Sequence, residues 1–143
     1  MKTYVIDASV AARFLLFEDL SDKARLILEN FLDGKIDLKA PQLVVHEVGN
    51  TLWKAVKQEL IDLDEALEKF SYFLRLRIGS VELYEEAHKK VLKWSVKNDA
   101  TYYDSTYVTS SKMIGATLLT ADDTLYKKAS KEVPTLHLKD YEK

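Results

Sequence analysis

The chain alternates short apolar runs with longer segments in which apolar residues recur every three or four positions. The run at 3–6 predicts a buried strand that ends at Asp7, and the β-branched run at 117–120 predicts a second strand. A last short strand is predicted near 133–138. Helical periodicity predicts helices at 9–16, 21–33, 41–59, 62–78, 82–97, 104–114 and 123–130. Strands separated by helices predict an α/β fold, with a parallel sheet covered by helices on both faces.

Capping and turn-forming residues set the expected helix ends. We expect Ser21 to cap the 21–33 helix and Pro41 to open the helix that follows. Asp62 or Asp64 is expected to start the 62–78 helix. Asp104 is expected to start the 104–114 helix. The helices that begin at 21, 62 and 104 are expected to end at Gly34, Gly79 and Gly115, respectively.

Length and composition narrow the class of protein. The 143 residues suit a single domain, 1–143, with a real hydrophobic core. The absence of cysteine excludes disulfides, thiolate metal sites and a cysteine nucleophile. Asp7 and Arg13 interrupt the first apolar stretch, and no run approaches the roughly 18 apolar residues of a membrane span, so we expect a soluble cytoplasmic protein. A net charge of -2 means that any polyanion is held by a local patch or by metal ions.

Acidic side chains lie inside or beside the most apolar segments of the chain. These residues are Asp7, Glu47, Asp104 and Asp122. Carboxylates are seldom buried unless they are paired with cations or bind metal, so the set indicates a metal-binding cluster. Asp7 and Asp122 each follow a predicted strand and are expected at the carboxyl edge of the sheet, whereas Glu47 and Asp104 approach from helices.

Each acid also has a simpler explanation. Asp7, Asp104 and Asp122 all stand where a helix N-cap is expected, and Glu47 suits a solvated helix face. Asp123 competes with Asp122 for the same role. These alternatives stay open for each residue alone, but independent caps are not expected to converge on one sheet edge.

Other catalytic motifs have poor support. His46-Glu47-Val-Gly-Asn50 begins like a zinc protease motif, but Asn50 stands where the second histidine belongs. The four glycines cannot build a phosphate-binding loop, and Ser9 is not in a G-x-S-x-G turn. The role of Asp99, another acid near the predicted cluster, stays open.

The ordered set of motifs resembles the PIN-domain nucleases, and in particular the VapC-type toxins of toxin–antitoxin pairs. The matching segments run through essentially the whole chain: Val-Ile-Asp7-Ala-Ser9-Val-Ala-Ala, Glu47-x-x-Asn50, Tyr-Asp104-Ser-Thr-Tyr and Leu-Leu-Thr120-Ala-Asp122. The resemblance implies a three-layer α/β/α sandwich with a mostly parallel central sheet.

The resemblance also implies an activity and its residues. PIN domains are ribonucleases that depend on Mg²⁺ or Mn²⁺, and their acidic quartet matches the four acids above as catalytic and metal-binding residues. The polar positions that match around the quartet are Ser9, Asn50 and Thr120. VapC-type proteins act on RNA, usually dimerise and are inhibited by a cognate antitoxin protein. We expect a homodimer that includes the 62–78 helix, where Phe70, Tyr72, Phe73 and Leu74 supply apolar surface.

Two other functions compete with this interpretation. A non-catalytic RNA-binding or assembly module on the same fold is the first, and the intact acidic quartet argues against it. The second is a phosphohydrolase with Asp7 as nucleophile. Phosphohydrolases of the haloacid dehalogenase type need a second aspartate two residues later, where this chain has Ser9.

Overall fold

The structure, a computed structural model, describes residues 1–142, and over these residues five strands alternate with seven α-helices around one sheet. The strands are β1 (Lys2–Ile6), β2 (Ile36–Pro41), β3 (Gly79–Val81), β4 (Thr117–Thr120) and β5 (Thr135–His137). The helices are α1 (Ala8–Arg13), α2 (Ser21–Leu32), α3 (Leu43–Lys57), α4 (Leu63–Arg75), α5 (Glu85–Asn98), α6 (Tyr102–Ile114) and α7 (Asp123–Ala129). A short 3-10 helix, Leu138–Asp140, follows β5.

The sheet is parallel, with strand order β3-β2-β1-β4-β5. Its centre is β1, where Val5 pairs with Lys39 of β2 on one side and with Leu118 of β4 on the other. Val5 and Leu118 are both fully buried, as expected for central strands covered on two faces. The prediction of a three-layer α/β/α fold is confirmed, and β1 and β4 deliver the residues that follow them to one edge of the sheet.

Strands β2 and β3 were not predicted, and Pro41 was assigned wrongly. Pro41 is the last residue of β2, and α3 begins at Leu43. The segment Ile-Asp-Leu-Lys alternates apolar and polar residues, and Ile36 and Leu38 are the buried members. That alternation was the available signal. The three residues of β3 start at Gly79, which was expected only to end a helix.

Besides Pro41, two predicted helix starts are wrong, and one is confirmed. The residue before α2 is Leu20, in the left-handed region at φ 64°, and Ser21 lies inside the helix, where its hydroxyl accepts the Glu18 N–H at 2.8 Å. Helix α6 is capped by Thr101, so Asp104 lies within its first turn. Asp62 caps α4 in a reciprocal capping box with Glu65. Gly115 ends α6 at φ 66°, as predicted.

The apolar side chains of α4 divide between the core and the surface. Phe73 is 4% exposed and Phe70 packs against the core, so these two residues do not supply free surface. Tyr72 and Leu74 are 41% and 51% exposed. Over residues 1–142, none of the helices combines the length and the apolarity needed to cross a membrane.

Candidate active site

Asp7 is held at the end of β1 by hydroxyl groups from two separate parts of the chain. Its Oδ1 accepts hydrogen bonds from the Ser9 hydroxyl at 2.6 Å and from the Val10 N–H at 3.2 Å. Its Oδ2 accepts a 2.5 Å hydrogen bond from the Thr120 hydroxyl, at the end of β4. Because both carboxylate oxygens are engaged and Asp7 is 4% exposed, its orientation is fixed by the sheet.

The same hydroxyls connect the two strand ends to each other. The Ser9 hydroxyl oxygen accepts the Ala121 N–H at 2.8 Å, and the Thr120 hydroxyl oxygen accepts the Asp122 N–H at 3.0 Å. Ser9 and Thr120 thus support both Asp7 and the backbone turn that carries Asp122.

Burial, the largest cause, raises the pKa of Asp7 to about 6 from its ordinary value of 3.8. Hydrogen bonds from Ser9 and Thr120 lower the pKa, and the nearby charge of Asp104 raises it further. A carboxylate that is this deeply buried, with no cation among the groups that set its pKa, is costly to ionise without added positive charge.

Glu47 projects from α3 and is bound by a buried tyrosine. The Tyr107 hydroxyl, on α6, donates a 2.6 Å hydrogen bond to Glu47 Oε1. Tyr107 is 1% exposed, and burial together with the adjacent Glu47 raises the pKa of its phenol far above the ordinary value. The tyrosine therefore stays protonated and serves as a permanent donor to the carboxylate.

Asp104 lies among the other acids. Burial raises the pKa of Asp104, and the charges of Asp122 and Glu47 raise it further, while Lys128 opposes them. Since Asp104 also acts on Asp7, the structure brings all four predicted acids into one electrostatic cluster.

Two of the acids are helix caps as well as members of this cluster. Asp7 caps α1 through Val10, and Asp122 caps α7 by accepting the Leu125 N–H at 2.9 Å. The simpler explanation is therefore correct for these two residues without excluding a second role. Asp123, the competitor of Asp122, points elsewhere: its Oδ1 lies 2.8 Å from Nε2 of the buried His137.

The cluster fits a hard divalent cation by the chemistry of its donors. Its groups are oxygen-only, and their mutual repulsion is relieved by added positive charge. Within residues 1–142, no three of the His, Asp and Glu side chains form a ready-made metal-binding group. Mg²⁺ keeps several water ligands and is commonly held by one or two carboxylates, so a partial set of protein ligands is compatible with it.

A cleft of about 700 Å³ opens beside the cluster. Glu47 and Asn50, one turn apart on α3, line it together with Lys54 and Tyr103. Asn50 is exposed, so its amide is available to a bound molecule. Asn50 thus lies beside Glu47, one of the acids with which the sequence grouped it.

Tyr107 is the residue of this site that sequence reasoning did not assign. The segment Tyr-Asp104-Ser-Thr-Tyr places Tyr107 three residues after Asp104, on adjoining turns of α6. A phenol next to a predicted carboxylate cluster was the available signal, but its bond to Glu47 joins residues 60 positions apart and depends on the packing of α6 near α3.

The chain is similar to several known proteins in sequence and in fold. The model of the PIN domain matches residues 4–131. The chain is 33% identical over 128 residues to "Ribonuclease VapC3" of Pyrobaculum aerophilum, covering 87% of this chain and 92% of that protein. The crystal structure of PAE2754 from the same organism superposes with a TM-score of 0.70 at 22% identity, over 96% of this chain and 92% of that one. FitAcB from Neisseria gonorrhoeae gives a TM-score of 0.65 at 14% identity, over 96% and 99%.

Proposed function

This chain belongs to the PIN-domain family, and on that premise we propose that it is a Mg²⁺- or Mn²⁺-dependent endoribonuclease. It hydrolyses RNA phosphodiester bonds and acts as the toxin of a type II toxin–antitoxin pair. We further propose that residues 1–143 form one PIN-like domain, a division supported by the single sheet and by the extent of the family match.

The observation that carries this proposal is the cluster of four acids at the carboxyl edge of the sheet. The charges of Glu47 and Asp122 raise the pKa of Asp104, and the charge of Asp104 raises that of Asp7. Three of its members, Asp7, Glu47 and Asp104, also raise the pKa of the buried Tyr107. Such a concentration of negative charge suits a site that works with bound cations. The relative named as a ribonuclease supports RNA as the substrate.

The residues of the cluster have distinct tasks in this proposal. Asp7, Glu47, Asp104 and Asp122 hold the metal as the catalytic acids. When bound, the divalent ion supplies an activated water and stabilises negative charge on the phosphate. Ser9 and Thr120 keep both oxygens of Asp7 in place, and Asn50 contacts the substrate in the cleft.

The proposed toxin function also implies two protein partners. We propose that a cognate antitoxin protein inhibits the enzyme and that two copies of the chain form a homodimer. Support for the dimer comes from the exposed apolar side chains of α4 and the turn before it, where Leu60, Leu63 and Leu67 are 71%, 62% and 55% exposed.

Cleavage of a labelled single-stranded RNA by the purified chain tests the proposed activity. We expect cleavage with Mg²⁺ or Mn²⁺, no cleavage in EDTA, and recovery when the metal is restored. Asp104→Asn should lower the rate by orders of magnitude, because it removes a charged oxygen from the cluster. Asp33→Asn, an equal change at an exposed residue outside the site, serves as the control.

The competing function predicts a different result. A non-catalytic RNA-binding module would retain RNA without cutting it under any metal condition. Full cleavage by metal-free, chelated protein would contradict the proposed mechanism, and cleavage equal to wild type in Asp104→Asn would remove that acid from it.

A further inference from the structure

A second cavity, of about 370 Å³, lies between α5 and α6, and none of the four acids of the candidate site lines it. Its apolar surface comes from Trp94, Val108 and Met113. Its charged lining consists of Lys90, Lys93, Lys97, Lys112 and Glu132. A cavity of this size with an apolar floor and a few polar groups is typical of a ligand site.

The lysines on α5 are concentrated on one face. Lys90, Lys93 and Lys97 follow the i, i+3, i+7 spacing and share that face with Trp94. Within residues 1–142, these three lysines form no ion pair with a carboxylate, whereas the neighbouring Lys89 is paired with Glu85 and Glu86. Lys97 acts only at longer range on Glu132, whose pKa it lowers, and three cations without a direct carboxylate partner contrast with the chain's net charge of -2.

The one acid in the lining is already neutralised by its neighbours. Glu132 accepts a hydrogen bond from Lys112 through Oε2 and another from the Trp94 indole N–H, at 3.0 Å, through Oε1. The hydrogen bonds from Lys112 and Trp94 lower the pKa of Glu132, which keeps it ionised. The pair Lys112–Glu132 therefore fixes the indole at the wall of the cavity and leaves the α5 lysines to set its charge.

Thr109 adds a polar group to the floor of the cavity. The residue is 7% exposed, and its hydroxyl makes no hydrogen bond within the described chain. The buried hydroxyls beside it on α6, at Ser105, Thr106 and Ser110, all bond back to carbonyls four residues earlier. Since no fully enclosed side-chain polar atom in residues 1–142 lacks a partner, the Thr109 hydroxyl reaches the cavity.

We propose that this cavity binds single-stranded RNA, with a base against Trp94 and Met113, the Thr109 hydroxyl bonded to that nucleotide, and flanking phosphates on Lys90, Lys93 and Lys97. An aromatic surface combined with a cationic rim is the usual device for holding single strands. The inference rests on the proposed ribonuclease function. When no metal is bound, the acids of the candidate site repel RNA, so affinity for the phosphate backbone then has to come from positive charge elsewhere on the surface.

Intrinsic fluorescence gives a direct readout of this binding. The chain has two tryptophans, so Trp53→Phe leaves Trp94 as the only indole. Oligouridylate and oligoadenylate are titrated into this protein in EDTA, which prevents cleavage and excludes metal-bridged binding. We expect saturable quenching of Trp94.

Matched charge variants distinguish RNA binding in the cavity from nonspecific electrostatic attraction of RNA to the protein surface. Replacing Lys90, Lys93 and Lys97 by Gln should weaken RNA binding by at least about tenfold. The slope of log Kd against the logarithm of salt concentration should fall by about 2, as expected for three lost phosphate contacts. The control triple replaces Lys35, Lys127 and Lys139, which are exposed and lie outside the cavity. Thr109→Val should weaken binding and leave the salt dependence unchanged, because it removes no charge.

The outcomes decide between this site and its alternatives. Absence of quenching, or an equal loss of affinity in the two triple variants, overturns the proposal. Polyglutamate that quenches Trp94 and displaces RNA also overturns it, in favour of an acidic protein partner. Cleavage by wild-type protein with Mg²⁺ is measured in parallel. Cleavage without quenching rejects only the cavity, and quenching without cleavage rejects only the proposed activity.

Discussion

The Tyr107 hydroxyl donates a 2.6 Å hydrogen bond to Glu47 Oε1 and so ties α6 to α3 beside the candidate active site. The bond leaves Oε2 of Glu47 without a partner among the residues described here, and Glu47 itself lines the cleft. A buried phenol that cannot ionise near neutral pH holds the glutamate without neutralising it. Tyr107 is therefore a positioning residue for Glu47.

We expect Tyr107→Phe to weaken Mn²⁺ binding by at least about tenfold, because loss of a hydrogen bond to a charged group is worth about 1.5–3 kcal/mol and the freed carboxylate gains mobility. Calorimetric titration with Mn²⁺ measures this directly. Tyr84→Phe, at a residue 74% exposed, is the matched control. Unchanged Mn²⁺ affinity in Tyr107→Phe would refute the positioning role.

Asp7 should give the metal-free protein a pH-dependent stability. Its pKa is about 6 in the folded chain against an ordinary 3.8, so the folded state binds more protons than the unfolded state in that window. The free energy of unfolding therefore falls as pH rises through the window, by about 3 kcal/mol from this residue. Below pH 3.8, Asp7 is protonated in both states and does not lower the free energy of unfolding.

The variant Asp7→Asn isolates that contribution. It should be more stable than wild type above pH 6 and equal to it near pH 4, since the neutral amide keeps its place beside Ser9 and Thr120. Chemical denaturation in EDTA at several pH values gives the difference. A difference that does not vary with pH would show that the buried charge of Asp7 is not its source.

Asp122 combines a helix cap with a place in the acidic cluster, and two substitutions separate these roles. Asn caps nearly as well as Asp, so Asp122→Asn should cost little stability while lowering RNA cleavage strongly. Asp122→Ala should lose the cap to Leu125 and about 1 kcal/mol of stability as well. Thermal unfolding and cleavage rates are measured on both variants. Full cleavage activity in Asp122→Asn would assign this acid to the cap alone.

The exposed stripe on α4 predicts the mode of dimerisation. Leu63 and Leu67 are one turn apart, and charging both should weaken dimerisation by at least about tenfold, because it buries unpaired charge at an apolar interface. Sedimentation velocity of Leu63→Glu/Leu67→Glu should report a 16.4 kDa monomer. Leu92→Glu, at a residue 57% exposed on α5, is the control. Wild-type protein that is monomeric at micromolar concentration would contradict the dimer itself.

The features that sequence reasoning predicted correctly are those with strong local signals. Strand β4 has its predicted bounds, and α4 is capped by Asp62, one of the two aspartates expected to start it. Strand β2 was missed because Pro41 also suits a helix start, and only its pairing with Val81 of β3 identifies it as a strand end. The clustering of the acids could be inferred from parallel topology.

The partners of each acid could not be predicted from local sequence. The bonds from Thr120 to Asp7 and from Tyr107 to Glu47 span 113 and 60 residues, and such contacts depend on the packed fold. Likewise, the contact between His137 and Asp123 forms only when β5 pairs with β4, so the sequence alone could not separate Asp123 from Asp122.

The pairing of β1 with β4 also determines when, during translation, the acidic site can form. Asp7 is synthesised well before Thr120, whose hydroxyl fixes its Oδ2. Until β4 has been translated, one edge of β1 lacks its neighbour and the acid has only its local contacts to Ser9 and Val10. A nascent chain therefore carries no finished acidic site until the ribosome has passed Thr120, 113 residues after Asp7.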